Sequence, residues 1–386
     1  MKGVLAELDS WLGAGRQVAL ARVIEVIGSG VRPAGAAIAV TSEDVAGSAS
    51  GGCVEGSLVE EARATLAKGG PPRLLSFGCP EDEAFDVGLT CGGLVRVLVE
   101  RLERRGPWLD QLLAATAKGE GAALVEVIGG PGDLLGWKAV LGGTAPMRPP
   151  EVAFPFLRFD VELARQIAND AMADIASERS SLHTYTVPHL GVGTDLTVFV
   201  DSFPAPPRMV IAGAASFTAA LTAQAKLLGF RVTVCDARAV FASPERFPLA
   251  DEVVAEWPDR YLGHAGRCLG SRDAVCILTH DPKFDVPTIV SALATSAGYI
   301  GVMGSRQTQA DRRRRLIEAG VTEEELERLR GPIGLDLGAD TPEETAVSIV
   351  AEIVAARRGH SGGPLRGASG PIHLPPSGTP TPFSGR

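Results

Sequence analysis

The chain has 386 residues, more than one hydrophobic core usually organises, since domains run to about 100–200 residues, so two domains are expected. Hydrophobic residues make up 45% and charged residues 22%, which excludes wholesale disorder and confines it to local segments. The formal net charge of −9, from 37 Lys and Arg against 46 Asp and Glu, argues against general binding to nucleic acid or an anionic membrane and points to a small molecule or a protein as partner.

The first residues, MKGVLAELDSWLGAG, carry acids and no long apolar core, so they do not read as a signal peptide. No stretch approaches the ~18–20 uninterrupted apolar residues of a membrane span, and a cytoplasmic protein is expected. Residues 18–27 (VALARVIEVI) and 36–40 (AAIAV) have the length and branched content of strands, divided by Gly28, Ser29, Gly30 and Pro33. After a turn at Glu43 and Asp44 comes SASGGCVEG, then a helical pattern with Val54, Leu58, Ala62 and Leu66 on one face, stopped by Gly69, Gly70, Pro71 and Pro72. Strand-like runs at 94–100, 122–128 and 196–201 alternate with helices expected near 107–117 and 159–177. This half reads as a mixed α+β domain, 1–203.

Pro204, Pro206 and Pro207 remove donors and hold the backbone extended, which places a domain boundary there. Beyond it come strand 208–212, helix 216–228, strands 231–235, 252–255 and 274–279, helix 287–296, strand 299–302 and helix 305–319. Alternating strands and helices predict a Rossmann-like, doubly wound parallel sheet over 208–358. A last helix, 341–357, has Thr341 to cap it, Pro342 in its first turn, and Glu343 and Glu344 at the positive dipole end. From Gly359 the chain is rich in Gly, Pro and Ser, and 359–386 is expected to be a mobile tail.

Six cysteines, at 53, 79, 91, 235, 268 and 276, are too sparse for a disulfide scaffold and read as thiols or ligands. In Ser50-Gly51-Gly52-Cys53-Val54-Glu55-Gly56, glycines precede a helix and a thiol sits at its first turn. Unpaired amides and the positive dipole end there stabilise a thiolate or another anion. Cys53 is therefore a candidate reactive thiol, against the alternative of a small residue buried beneath the loop. Gly88-Leu89-Thr90-Cys91-Gly92-Gly93 sets a second thiol among glycines. Cys53, Cys79 and Cys91 are separated by 25 and 11 residues, which matches no short structural-zinc pattern, so a soft-ligand or sulfur-handling pocket is preferred. Cys235 and Cys276, inside apolar strands, read as inert core.

In the second domain, Gly213-Ala214-Ala215-Ser216-Phe217-Thr218 occupies the strand-turn-helix position of dinucleotide folds, and Asp236 follows the second strand near the place of a ribose-binding acid. Ala215 and Thr218 stand where the second and third glycines belong, so their side chains hinder pyrophosphate approach and tight helix packing. His280 and Asp281 end one strand, and Gly304, Ser305 and Arg306 end the next. Both groups are expected at the carboxyl edge of the sheet, where such folds bind ligands. Ser305 either caps the helix alone or leaves free amides that, with Arg306, hold a phosphate. His280 and Asp281 read as ligand, proton-transfer pair or turn stabiliser. The run Arg312–Arg315 rotates around a helix and reads as solvated surface.

Several of these segments resemble the XdhC/CoxI family of accessory proteins for molybdenum hydroxylases such as xanthine dehydrogenase and carbon monoxide dehydrogenase. The matching pieces are SGGCVEG at 50–56, GLTCGG at 88–93, ERFPLAD at 245–251, THDPKFD at 279–285, YIGVMGSR at 299–306 and GPIGLDLGADTPEETAVSI at 331–349. The resemblance implies a cysteine-bearing domain followed by a Rossmann-like one. It also implies a chaperone that binds the molybdenum cofactor (molybdopterin), supports its sulfuration with a cysteine desulfurase, and delivers it to the hydroxylase apoenzyme. A homodimer suits a helper of dimeric enzymes. Carried over, Cys53 and Cys91 are the metal-facing thiols. Gly51, Gly52, Gly213, Asp236, His280, Asp281, Gly304, Ser305 and Arg306 complete the cofactor-binding set. The family's second domain usually opens on a GAGH-type stretch, where this chain has Gly213-Ala214-Ala215-Ser216. Two other readings compete: an NAD(P)-dependent oxidoreductase using the second domain, and a scaffold that docks onto the hydroxylase without touching its cofactor.

Overall fold

The computed structural model describes residues 1–28, 32–52, 54–78, 93–142, 160–187 and 195–367. The chain divides into two compact units, Met1–Ala205 and Pro206–Arg386. Among the described residues, no helix is long and apolar enough to cross a membrane.

The first unit runs α1 (Leu5–Gly13), β1 (Val18–Ile27), β2 (Ala37–Val40), β3 (Val45–Ser48), α2 (Glu55–Lys68), β4 (Arg73–Phe77), β5 (Leu94–Leu102), α3 (Pro107–Ala117), β6 (Ala122–Gly129), β7 (Lys138–Gly142), α4 (Val161–Ser177), β8 (Ser181–Thr186) and β9 (Asp195–Phe203). Two antiparallel sheets form, ordered β3-β2-β1-β5-β4 and β7-β6-β9-β8. Strand alternation sends Ala19, Ala21 and Val23 of β1 toward Leu58 and Ala62 of α2. Val18, Leu20 and Ile24 face the other way, with Leu124, Phe199 and Phe203 of the second sheet. The far face of that sheet, Val125, Val127, Val198 and Val200, is covered by Leu163, Ala164, Ile167 and Ala171 of α4, which Asp160 caps by accepting from the Leu163 amide at 3.1 Å.

Arg22 belongs to the same inward row as Leu20 and Ile24, and it is fully buried. Its guanidinium reaches Glu100 on β5 at 2.7 Å and Glu126 on β6. Lys138 on β7 closes the group, 2.6 Å from Glu100 and 2.8 Å from Glu126. Two cations and two carboxylates therefore neutralise one another between the sheets, as buried charges must.

The second unit runs β10 (Arg208–Ala212), α5 (Ser216–Leu227), β11 (Arg231–Cys235), β12 (Glu252–Val254), α6 (Pro258–Ala265), β13 (Ala274–Ile277), α7 (Pro282–Leu293), β14 (Tyr299–Val302), α8 (Arg306–Glu318), α9 (Glu323–Glu327), β15 (Leu329–Arg330) and α10 (Pro342–Arg358). Its sheet, β12-β11-β10-β13-β14-β15, is parallel throughout. Numbered within the unit, that order is 3-2-1-4-5-6, the doubly wound arrangement whose strand order reverses between β10 and β13. Met209 and Ile211 pack toward α5 and α10, whereas Val210 and Ala212 pack toward α6, α7 and α8. Both faces are covered, as the parallel sheet requires.

Two local expectations are corrected. Helix α7 begins at Pro282, not at 287, because the Asp281 side chain accepts from the Lys283 amide at 3.1 Å and Pro282 fills the first turn, which leaves Pro287 inside the helix. Arg312 is not solvated surface: it is 4% exposed and paired with Asp285 at 2.8 Å. For the last helix, Thr341 and Glu344 form a reciprocal capping box.

Candidate functional site

In the first unit, Gly51 and Gly52 lie in the loop that enters α2, with φ of +76° and +120°, a region favouring glycine. Their amides are taken up within the protein. Glu55, the first residue of the helix, folds its carboxylate back into the loop. It accepts from the amides of Ser50 (2.9 Å), Gly51 (2.7 Å) and Gly52 (2.6 Å), from Ser48 Oγ (2.8 Å) and from Ser50 Oγ. Partial burial acts to raise this carboxyl, but the hydrogen bonds from Ser50, Ser48 and Gly52 outweigh it and bring it from an ordinary 4.5 down to about 2. Val54 is buried beneath the loop, its amide donating to Ser50 Oγ at 3.0 Å. Cys53, Cys79 and Cys91 lie outside the described residues.

A depressed folded-state carboxylate contributes stability that is present above its unfolded value and lost as pH falls through the folded one. Glu55 therefore helps fully above about pH 4.5 and is lost toward pH 2. Glu55→Gln, whose amide nitrogen cannot accept from the loop, is expected to unfold more easily than the parent at pH 7, and the gap should narrow toward pH 2. Equal stability of the two at pH 7 in urea melts would refute this role.

In the second unit the remaining candidates all lie at the carboxyl edge of the parallel sheet: Gly213 after β10, Asp236 after β11, His280 and Asp281 after β13, and Gly304, Ser305 and Arg306 after β14. Gly213 has φ +110°, and a Cβ there would come 2.9 Å from Thr279 Cγ2, so the turn is pressed against the exit of β13. Asp236 is joined to that turn, accepting from the Ala214 amide at 2.8 Å. Its two oxygens also take the fork of Arg238, Nε at 2.9 Å and Nη2 at 2.8 Å. Burial acts to raise the Asp236 carboxyl, and the bonds from Arg238 and Ala214 reverse that, holding it below the usual range. Thr218 fills the space a glycine would leave, donating to the Gly213 carbonyl at 2.6 Å and accepting from the Ala215 amide at 3.1 Å.

Further along the edge, a cleft of about 360 Å³ opens between the first turns of α7 and α8, and His280, Asp285, Ser305, Thr308, Arg312 and Arg315 are among the residues lining it. This brings His280 and Ser305 together. Asp281 caps α7, and its carboxyl is lowered by the Lys283 amide and ammonium. Ser305 caps α8, accepting from the Thr308 amide at 3.1 Å. The Arg306 side chain, 89% exposed, extends toward Asp336 at 3.9 Å. Beneath the cleft, Asp285 takes Arg312 on one oxygen and the Thr279 hydroxyl on the other. Arg312 also donates to Gln309 Oε1 (2.7 Å) and the Met303 carbonyl (3.0 Å).

Burial pushes the Cys235 thiol up to about 12 and raises that of Cys276 as well, so both are inert. Among the described residues no group of three or more His, Cys, Asp or Glu could hold a metal ion. Sequence reasoning missed Glu55, the Asp285–Arg312 pair and one further cluster. In that cluster His183 Nε2 lies 2.9 Å from Asp174, which also accepts from Ser181 at 2.5 Å. The bond to Asp174 raises the imidazole and ties β8 to α4. A hydrophobic pattern carries no signal for such polar partners. The only available hint for Glu55 is its place five residues after Ser50, across a glycine loop.

Two family models match in chain order: the XdhC and CoxI family over residues 11–78, and the XdhC Rossmann domain over 209–353. The chain is 27% identical over 356 residues to a probable xanthine dehydrogenase subunit of Bacillus subtilis, covering 91% of this chain and 96% of that one. It is 24% identical over 347 residues to the molybdenum cofactor insertion chaperone PaoD of Escherichia coli, covering 90% and 85%. A crystal structure described as a xanthine dehydrogenase from Bacillus halodurans superposes with a TM-score of 0.62 at 23% identity, over 92% of this chain and 96% of that one, a likeness of fold.

Proposed function

This chain belongs to the XdhC and CoxI family, and from that premise we propose that it binds the molybdenum cofactor as cargo and serves a molybdenum hydroxylase of the xanthine dehydrogenase or carbon monoxide dehydrogenase type. In this reading it acts as a chaperone in the cytoplasm, without catalysing a reaction of its own. It supports cofactor sulfuration with a cysteine desulfurase and hands the product to the apoenzyme, working as a homodimer. The observation that carries the reading is the match, over 90% of this chain, to a relative named as a molybdenum cofactor insertion chaperone. Soft thiols suit a metal-dithiolene group, which assigns Cys53 and Cys91 of the first unit to the metal end. Taken by itself, the second unit offers an anion-binding edge at His280, Gly304, Ser305 and the α8 amides with Arg306, with Gly213, Asp236 and Asp281 shaping that edge.

Anaerobic isolation of the full chain after cofactor loading, followed by metal and pterin analysis, tests the cargo. Molybdenum and pterin should be recovered together. The double variant Cys53→Ala, Cys91→Ala should bind molybdopterin at least about tenfold more weakly, a loss of about 1.4 kcal/mol. Unchanged affinity would remove the thiols from the site, and absence of pterin from the loaded parent would remove the cargo.

The strand order 3-2-1-4-5-6 favours a second reading, an NAD(P)-dependent oxidoreductase. Against it, the carboxylate that would take the ribose hydroxyls is already committed to Arg238 and Ala214. Calorimetric titration with NADH and NADPH separates the two, since tight binding lost in Gly213→Val would favour the enzyme.

A further inference from the structure

At the switch point of the second unit, the two amides that follow Gly213 are spent within the protein. The Ala214 amide goes to Asp236 and the Ala215 amide to Thr218 Oγ1. Gly213 has no room above it, with Thr279 Cγ2 2.9 Å and Thr279 N 3.1 Å from where a Cβ would stand. The cleft between the first turns of α7 and α8 has the opposite character. At about 360 Å³ it is within the range of small-ligand sites, roughly 300–1,000 Å³. Arg315 lines it half-buried and makes no ion pair among the described residues. Arg312, beneath, is neutralised by Asp285 and also held by Gln309 and the Met303 carbonyl, so it braces the wall and leaves Arg315 as the available counter-charge. His280 stands on the same lining. The Ser305 cap satisfies the Thr308 amide, and the amides of Arg306 and Gln307 have no acceptor among the described residues. Asp311 is the one further carboxylate on the lining, exposed and without an ion pair among the described residues.

We infer that this cleft, and not the Gly213 turn, is the anion-binding site of the second unit, and that it takes a phosphate monoester whose organic part presents N–H donors. Arg315 meets the phosphate charge, the α8 amides take its oxygens, and Asp311 accepts from the donor-bearing part. A bare dianion satisfies only the first two. This deepens the cofactor reading and rests on it for the identity of the natural ligand alone.

The test uses the full chain and two probes by calorimetry: inorganic phosphate, and guanosine monophosphate, whose ring edge presents N–H donors. Guanosine monophosphate should bind at least about tenfold tighter than inorganic phosphate. Arg315→Ala should weaken both by about tenfold, and Arg315→Lys should recover part of the loss. Asp311→Asn should shrink the difference between the probes and leave phosphate affinity alone. Arg238→Ala, at the switch point, should change neither. Binding of neither probe, insensitivity to Arg315→Ala in a variant that melts like the parent, or loss on Arg238→Ala would each overturn the assignment. Molybdopterin binding, followed in parallel by pterin fluorescence, keeps the two claims apart. If the parent binds molybdopterin and Arg315→Ala binds it equally well, the cleft fails and the cargo stands. If the parent binds phosphate through Arg315 yet never binds molybdopterin, the cargo fails and the cleft stands.

Discussion

Arg22→Ala is expected to destabilise the first unit by about 3–5 kcal/mol, the range for removing one partner of a buried ion pair, read as a lower urea midpoint with an unchanged slope. The guanidinium is fully buried between the sheets and is the shared partner of Glu100 and Glu126. Without it, Lys138 must serve two carboxylates alone, and one negative charge is left uncompensated away from water. Loss of charge balance, not loss of volume, is the source of the cost. Arg22→Met with Glu126→Leu removes a cation and an anion together and leaves the Lys138–Glu100 pair of 2.6 Å intact. That double variant should recover most of the loss, because a buried pair replaced by apolar groups is often neutral. If it were as unstable as Arg22→Ala, packing would be the explanation.

The pH dependence has a defined sign. Burial acts to raise the Glu126 carboxyl, and Arg22 and Lys138 overcome it and hold the folded value below 4.5. Stability from this group is therefore present above about pH 4.5 and lost as pH falls through the folded value. In Arg22→Ala the folded value should rise, so acid unfolding should begin at a higher pH than in the parent.

Arg312→Ala is the second large effect, again about 3–5 kcal/mol, now in the second unit. Its loss leaves Asp285, 3% exposed, with the Thr279 hydroxyl as its remaining side-chain partner, and frees Gln309 Oε1 and the Met303 carbonyl. Arg312→Lys should rescue little, since one ammonium cannot reproduce a planar fork aimed at a carboxylate, an amide and a carbonyl. Its neighbours supply the control. Arg313 and Arg314 are exposed and paired with Glu323 and Glu318 at the surface, so their alanine variants should cost less than about 1 kcal/mol each. Equal effects across the three would mean that Arg312 is not the buried brace. Thermal melts of the three single variants decide it.

Four identical residues in a row thus carry three different duties, and nothing in their order distinguishes them. Helical periodicity assigns each a direction, but which direction is inward depends on where Asp285 lies, 27 residues away. Arg22 and Glu126 are 104 residues apart, and the capture of the loop amides by Glu55 depends on how that loop curls. Polar partners of this kind leave no periodic mark, because pairing is set by distance in the fold and not by spacing along the chain.

The strands divide along the same line. Inner strands β1, β5, β6 and β9 read as apolar runs because neighbours and covering layers bury them. Strands β3, β4, β7 and β8 were not legible, and all four are sheet edges with largely exposed or half-exposed residues. An edge strand borrows its hydrogen bonds from one neighbour and needs little apolar content of its own. By itself, then, the sequence determined the alternation that makes the second sheet parallel and the set of loops at its carboxyl edge, since burial on both faces imposes a pattern that composition must obey. Tertiary structure alone decided which charges are buried, that the Ala214 and Ala215 amides beside Gly213 are satisfied from within, and that Arg315 lines the same cleft as Ser305, because each of these depends on which distant groups the fold brings within reach.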